Sequence, residues 1–116
     1  MSPDSKSPPK YKEEINFYDA PEAQADFRLW VRMSYWNADE ATALLLSRNP
    51  DVVNETSFKE CNQVSEFSEI YRKLRILIDR AIETNYLTKP IDPHHFIEWS
   101  SNRAQLKVPK ELVTAI

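Results

Sequence analysis

Glycine is absent from this chain. At ordinary usage, near 7%, a protein of 116 residues would carry about eight. The absence excludes a Gly-rich phosphate cradle, a dinucleotide-binding fingerprint and a G-x-S-x-G nucleophile elbow. Each needs glycine where the backbone turns sharply or approaches a ligand. Two-residue hairpins lose their favoured Asn-Gly and Asp-Gly turns, which weakens any β-rich reading. Cysteine is nearly absent too: Cys61 stands alone, so neither an internal disulfide framework nor a multi-cysteine metal site is expected. No apolar run approaches the roughly 18 residues of a membrane span, and the N-terminus lacks a signal-type apolar core. A cytoplasmic protein with no membrane partner is predicted. An excess of positive charge is also missing. Lys and Arg number 15 against 18 Asp and Glu, a net charge of -3, which disfavours non-specific nucleic-acid binding.

What remains is 41% hydrophobic, 11% aromatic and 28% charged, the make-up of a globular domain with a packed core. Residues 1–14 (MSPDSKSPPKYKEE) read as a disordered tail by composition, without the spacing of a PxxP ligand. Residues 15–116 are expected to form one helical domain.

The chain is divided by helix start and stop signals. Asp19-Ala20-Pro21-Glu22 has the form of a capping box with proline in the first turn, predicting a helix that runs on through Trp36. Ala23, Phe27, Trp30, Val31 and Ser34 share one face of it, while Ala25, Leu29, Met33 and Trp36 form a second apolar stripe. Asn37-Ala38-Asp39-Glu40 caps the next helix, through Leu44-Leu45-Leu46 to Arg48, with Ala43 among the outward residues and Asn49-Pro50 as the stop. A short helix capped by Ser57 is placed within 51–63. The clearest periodicity follows: Phe67, Ile70, Tyr71, Leu74, Leu77, Ile78, Ala81 and Ile82 recur at three and four. Glu69/Lys73 and Arg75/Asp79 flank that face, Ile76 lies in the charged arc, and Asn85 fits the left-handed C-cap. Asp92-Pro93 opens a helix with Phe96, Ile97 and Trp99 inward, and Val108-Pro109 opens a last turn. The fold class predicted is all-α, a small bundle of four to five helices.

Groups with chemical potential each have a plainer role. His94-His95 are adjacent, about 100° apart on a helix, and cannot share a metal as an i, i+4 pair does; they read as first-turn surface residues. Asp39-Glu40 suit the positive end of a helix dipole. Cys61 reads as a partly buried structural thiol. No enzyme, metal or cofactor is expected. Arg72, Lys73, Arg75 and Arg80 form the candidate nucleic-acid surface, but they alternate with Glu69, Asp79 and Glu83, as on a solvated salt-bridge face.

The stretch Tyr35-Trp36-Asn37-Ala38-Asp39-Glu40-Ala41 through Leu44-Leu45-Leu46 to Pro50, followed by a long helix and Phe96-Ile97-Glu98-Trp99, resembles a motif of uncharacterised proteobacterial proteins. That pattern is YW-x-x-x-EA-x-x-LLL-x-x-x-P with a later FI-x-W. The likeness spans about residues 27–112. It implies a bacterial helical module, one that often begins a longer protein; the apolar end at Ile116 suits that reading. Asp39-Glu40-Ala41 and Leu44-Leu45 are also similar to the first helix of excisionase-type helix-turn-helix regulators, which implies DNA binding as the alternative. That motif needs a turn of 3–4 residues, and the distance from Arg48 to the periodic helix near Ser65 is greater. The expected function is protein–protein association, with a partner protein or a second copy as in a dimer. The candidate contact residues are Leu29, Arg32, Met33, Trp36 and Ile76, because an exposed apolar stripe with Trp and Met is an interface signature.

Overall fold

The computed structural model describes residues 16–61, 64–103 and 106–115. The tail predicted for 1–14 lies outside the described residues. The fold is all-α. Two 3-10 turns, Phe17–Asp19 and Pro21–Ala23, precede α1 (Phe27–Trp30), α2 (Ala38–Leu45), α3 (Glu55–Cys61), α4 (Glu66–Glu83), α5 (Pro93–Ser101) and α6 (Lys110–Ala115). Among the described residues there are no strands, only two isolated antiparallel bridges, Gln24 with Arg48 and Trp36 with Ile91.

Local chemistry accounts for most helix ends. Asn37 accepts the Glu40 N–H at 2.7 Å while the Glu40 carboxylate accepts the Asn37 N–H at 2.9 Å, the capping box expected there. Ser65 and Ser68 form a second reciprocal box at the start of α4. Asp92 accepts from the His94 N–H at 3.1 Å ahead of Pro93. The short helix starts earlier than Ser57. Asn54 accepts the Ser57 N–H at 2.9 Å, so Ser57 is the third residue of α3 rather than its cap.

The helix expected from Asp19 to Trp36 is broken into pieces. Gln24 is extended (φ -75°, ψ 139°), and it pairs with the segment that leaves α2. Asn49 N–H donates to Ala23 at 2.7 Å and Ala25 N–H to Ser47 at 3.4 Å. These non-local bonds outcompete the local helical ones. Asp26 restarts the helix by accepting from Leu29 N–H at 3.4 Å. Asp19 caps nothing; its carboxylate meets the Arg48 guanidinium at 3.2 Å.

α2 is the centre of the molecule. Ala41 through Leu45 are all buried, including Ala43, which the sequence pattern placed outward. Ala43 fills a small aromatic-rimmed cluster with Ala23, Val53 and Tyr71, packed by Phe17, Phe58 and Phe67. The opposite side of α2 joins the main core with Trp30, Trp36, Ile78, Phe96 and Leu112. α2 packs on α4, and α1 on α6. On α4 the expected stripe is buried or half-buried except Ile70, which is exposed.

α2 ends at Leu45, before Asn49-Pro50 can act. Arg48 N–H donates to Ala43 at 2.8 Å and Ser47 N–H to Leu44 at 3.0 Å, a Schellman pair with Ser47 at φ 62°. α4 ends the same way: Tyr86 N–H reaches Ala81 at 2.8 Å, Asn85 N–H reaches Ile82 at 3.1 Å, and Asn85 sits at φ 67°. Glycine would normally take both positions. Asn tolerates the left-handed region; Ser pays a steric cost there. Ser47→Gly is therefore expected to stabilise the fold by about 0.5–1 kcal/mol, and Ser47→Val to destabilise it by at least about 1 kcal/mol. Urea denaturation at equal m-value measures both.

Candidate functional site

The segment carrying most of the candidate contact residues is Leu29 to Trp36. Val31 N–H bonds to Phe27 at 2.9 Å, Arg32 N–H to Leu29 at 3.1 Å and Met33 N–H to Trp30 at 3.1 Å, so helical winding continues for most of a turn beyond α1. On that winding Phe27, Trp30 and Val31 point to the core, half-buried or buried. Arg28, Leu29, Arg32 and Met33 occupy the opposite arc and are exposed, Leu29 at 49% and Met33 at 37%. Tyr35 follows at 58%.

Trp36 does not belong to this surface. It is 0% exposed, its ring meets Phe96 edge-on at 5.8 Å, and its indole N–H donates to the Trp30 carbonyl at 2.8 Å. The stripe drawn through it assumed a continuous helix. In the fold the chain turns after Met33 and brings Trp36 inward, where it exchanges two backbone bonds with Ile91, at 2.8 and 2.9 Å. Of the candidate contact residues on this segment, Leu29, Arg32 and Met33 are exposed, and Ser34 and Tyr35 are exposed beside them. Tyr35 lies off the three–four period of Leu29, Met33 and Trp36, so spacing alone does not place it on this surface.

A groove of about 730 Å³ opens beside Tyr35, lined also by Ala38, Ile82, Glu83, Lys89 and Pro90. Ile76 is 46% exposed and lies seven residues before Glu83 on α4, hence nearly in line with it along the helix. A smaller groove of about 310 Å³ lies between α3 and α4, lined by Phe58, Lys59, Val64, Tyr71 and Arg72 among others.

The candidate nucleic-acid residues do not act as a unit. Arg75 lies among three carboxylates: Asp39 at 3.4 Å, Glu55 at 3.6 Å and Asp79 at 3.3 Å. Arg72 pairs with Glu69 at 2.5 Å, the expected partner of Lys73. Lys73 and Arg80 are exposed and make no ion pair among the described residues. Two of the four cations are therefore neutralised at home. The turn criterion also fails: α2 ends at Leu45 and α3 starts at Glu55, far beyond a 3–4-residue turn.

Asp39 has a structural role that spacing alone cannot reveal. Its carboxylate accepts the Glu55 N–H at 3.1 and 3.2 Å, capping α3 from across the fold, and accepts the Tyr71 hydroxyl. Burial pushes its pKa above the usual carboxylate value. The Glu55 N–H and the Arg75 guanidinium pull it back, and the Glu55 and Asp79 charges add to the rise. His94 is exposed and His95 half-buried, and no group of three or more His, Cys, Asp or Glu side chains that could hold a metal occurs among the described residues. Cys61, the last residue of α3, is exposed, not partly buried as expected. No helix among the described residues is long and apolar enough to cross a membrane.

Comparison with known protein families, with curated proteins and with solved structures finds no match to this chain.

The raised pKa of Asp39 fixes the sign of a pH effect. Folding raises its proton affinity relative to the unfolded chain, so its contribution to stability is full below the ordinary carboxylate pKa and is lost as pH rises through the raised value. Asp39→Asn removes that dependence. The stability of the parent chain relative to Asp39→Asn is expected to fall from about pH 3.5 towards neutrality and then level, as read from urea midpoints. A difference that grows with pH would mean that Arg75 outweighs burial.

Proposed function

We propose that this chain is a non-enzymatic module for protein–protein association that docks through Leu29, Arg32 and Met33, extended by Tyr35. One observation carries the reading. Two apolar side chains and a tyrosine stand exposed along Leu29 to Tyr35, a stretch held by two buried tryptophans, Trp30 and Trp36, tied to each other by a 2.8 Å hydrogen bond. Apolar groups displayed on an ordered backbone bind without a large ordering cost, which favours docking over accidental exposure. Tyr35 is well suited to such a role, having a large apolar face and a hydroxyl at its rim. The groove beside Tyr35 continues the surface toward α4, on which Ile76 is also exposed.

The polar clusters support the same reading by their occupation. Asp39, Tyr71, Arg75 and Glu55 are engaged with one another and with a helix end, so their side chains serve packing and capping. The partner is a protein, either a different chain or a second copy, in a cytoplasmic setting suited to the single cysteine. A DNA-binding role gains no support from the arrangement of Arg72 and Arg75.

A photo-crosslinking residue at Met33 tests the reading in cells that make the protein. It is expected to give a discrete adduct, to itself or to one other protein, while the same residue at exposed Glu98 on α5 gives none. Adding Leu29→Asp is expected to remove the adduct with the thermal midpoint nearly unchanged, since exposed substitutions usually cost within about 0.5 kcal/mol. Equal labelling at Met33 and Glu98, or none at either, overturns the reading.

A further inference from the structure

The exposed arc of the α1 segment is not simply apolar. Arg28 and Arg32 are one helical turn apart, as are Leu29 and Met33, so two cations and two apolar side chains form adjacent rows. Of the other five arginines four are engaged: Arg48 by Asp19, Arg72 by Glu69, Arg75 by three carboxylates, and Arg103 over the Trp99 ring at 4.7 Å. Arg80 on α4 is exposed and, like Arg28 and Arg32, makes no ion pair among the described residues. The nearest acid along the chain, Asp26, is engaged by the Leu29 N–H that it caps. The chain as a whole carries a net charge of -3, so a basic row without an ion pair among the described residues runs against the general sign of the molecule.

Resting on the association reading above, we infer that the partner is a protein segment presenting carboxylates alongside an apolar anchor, an acidic amphipathic helix or its equivalent. Charge complementarity selects the occupant. Carboxylates would meet the Arg28/Arg32 row, bidentately where geometry allows, and the apolar side chains would cover Leu29 and Met33. A polyanion such as nucleic acid would satisfy the arginines but leave the interleaved Leu and Met against sugar and phosphate, and the chain's net negative charge would oppose it. A second copy fits less well, because the same row would confront its own arginines near a two-fold axis.

The test uses the full chain and three fluorescently labelled probes: a helical peptide with leucines at i, i+3, i+4 and i+7 and glutamates flanking them, the same peptide with lysines for glutamates, and a single-stranded oligonucleotide. By anisotropy at low salt, the glutamate peptide is expected to bind at least about tenfold more tightly than the lysine peptide. Arg28→Gln with Arg32→Gln is expected to erase that ratio, and Leu29→Asp with Met33→Asp to abolish binding, each with an unchanged circular dichroism spectrum. Equal binding of both peptides that is still lost in Leu29→Asp with Met33→Asp would overturn the acidic partner and leave the association reading intact. Binding of neither peptide, or binding indifferent to Leu29 and Met33, would overturn both. Oligonucleotide binding that needs Arg28 and Arg32, without peptide binding, would assign the row to a polyanion and overturn the inference.

Discussion

The fold depends most on the burial of Trp36. Its indole loses all contact with water, and its one polar atom is satisfied by the Trp30 carbonyl, so a large apolar area is gained without an orphaned donor. The same residue pairs with Ile91 through both backbone groups, holding the approach to α5 beside the approach to α2. Asn37, the very next residue, is the cap of α2. A single side chain thus sets where the central helix begins and how the α5 region docks. It also closes the segment that displays Leu29, Met33 and Tyr35. Truncation to alanine in such a position costs about 3–5 kcal/mol, a large part of a small domain's total stability.

A second constraint organises the charges. Asp39 leaves its own helix to cap α3, which orders Glu55, and both carboxylates then face Arg75 together with Asp79. Three helices are stitched through one guanidinium. The cost is the desolvation of Asp39, visible in its raised pKa, and it is offset by the hydrogen bonds from Glu55 N–H and Tyr71. Because Arg75 is held by three carboxylates near α2, α3 and α4, its positive charge is not left for an external partner. That engagement is why Arg28 and Arg32 stand out more in the structure than in the sequence.

Helices with strong local signals were legible from residues alone. α4 follows its three–four period, and α2 and α5 follow their Asn37 and Asp92 caps, because these determinants lie within one turn of the ends they specify. The region from Asp19 to Trp36 was not legible. Its D-x-x-E and its two apolar stripes describe a plausible long helix, but Ala23 and Ala25 bond to Asn49 and Ser47, partners more than twenty residues away. Trp36 followed from the same error, since a stripe means nothing once the chain bends. Asp39 as a cap for α3 was hidden for a related reason: carboxylates at a helix start have a sufficient local explanation, and the across-fold bond adds to it without a sequence trace. Leu29, Arg32, Met33 and Ile76 kept their exposure because each sits on a turn opposite a core anchor.

The missing glycines bear on this last point. A left-handed residue must close a Schellman turn, and after α2 that residue is Ser47, a type that takes the conformation only at some steric cost. The surrounding contacts must therefore hold it there. Ser47 O accepts the Ala25 N–H, and Asn49 N–H donates to Ala23 O, so the turn is held by the strand-like segment that precedes α1. The dependence runs both ways: the strained turn positions residues 23–25, and these fix where Asp26 can begin α1. The direction of α1 in turn decides which arc faces the core through Trp30 and which arc carries Arg28, Leu29, Arg32 and Met33. With glycine at position 47 the turn would need no such support, and the link from the end of α2 to the display of that arc would be weaker.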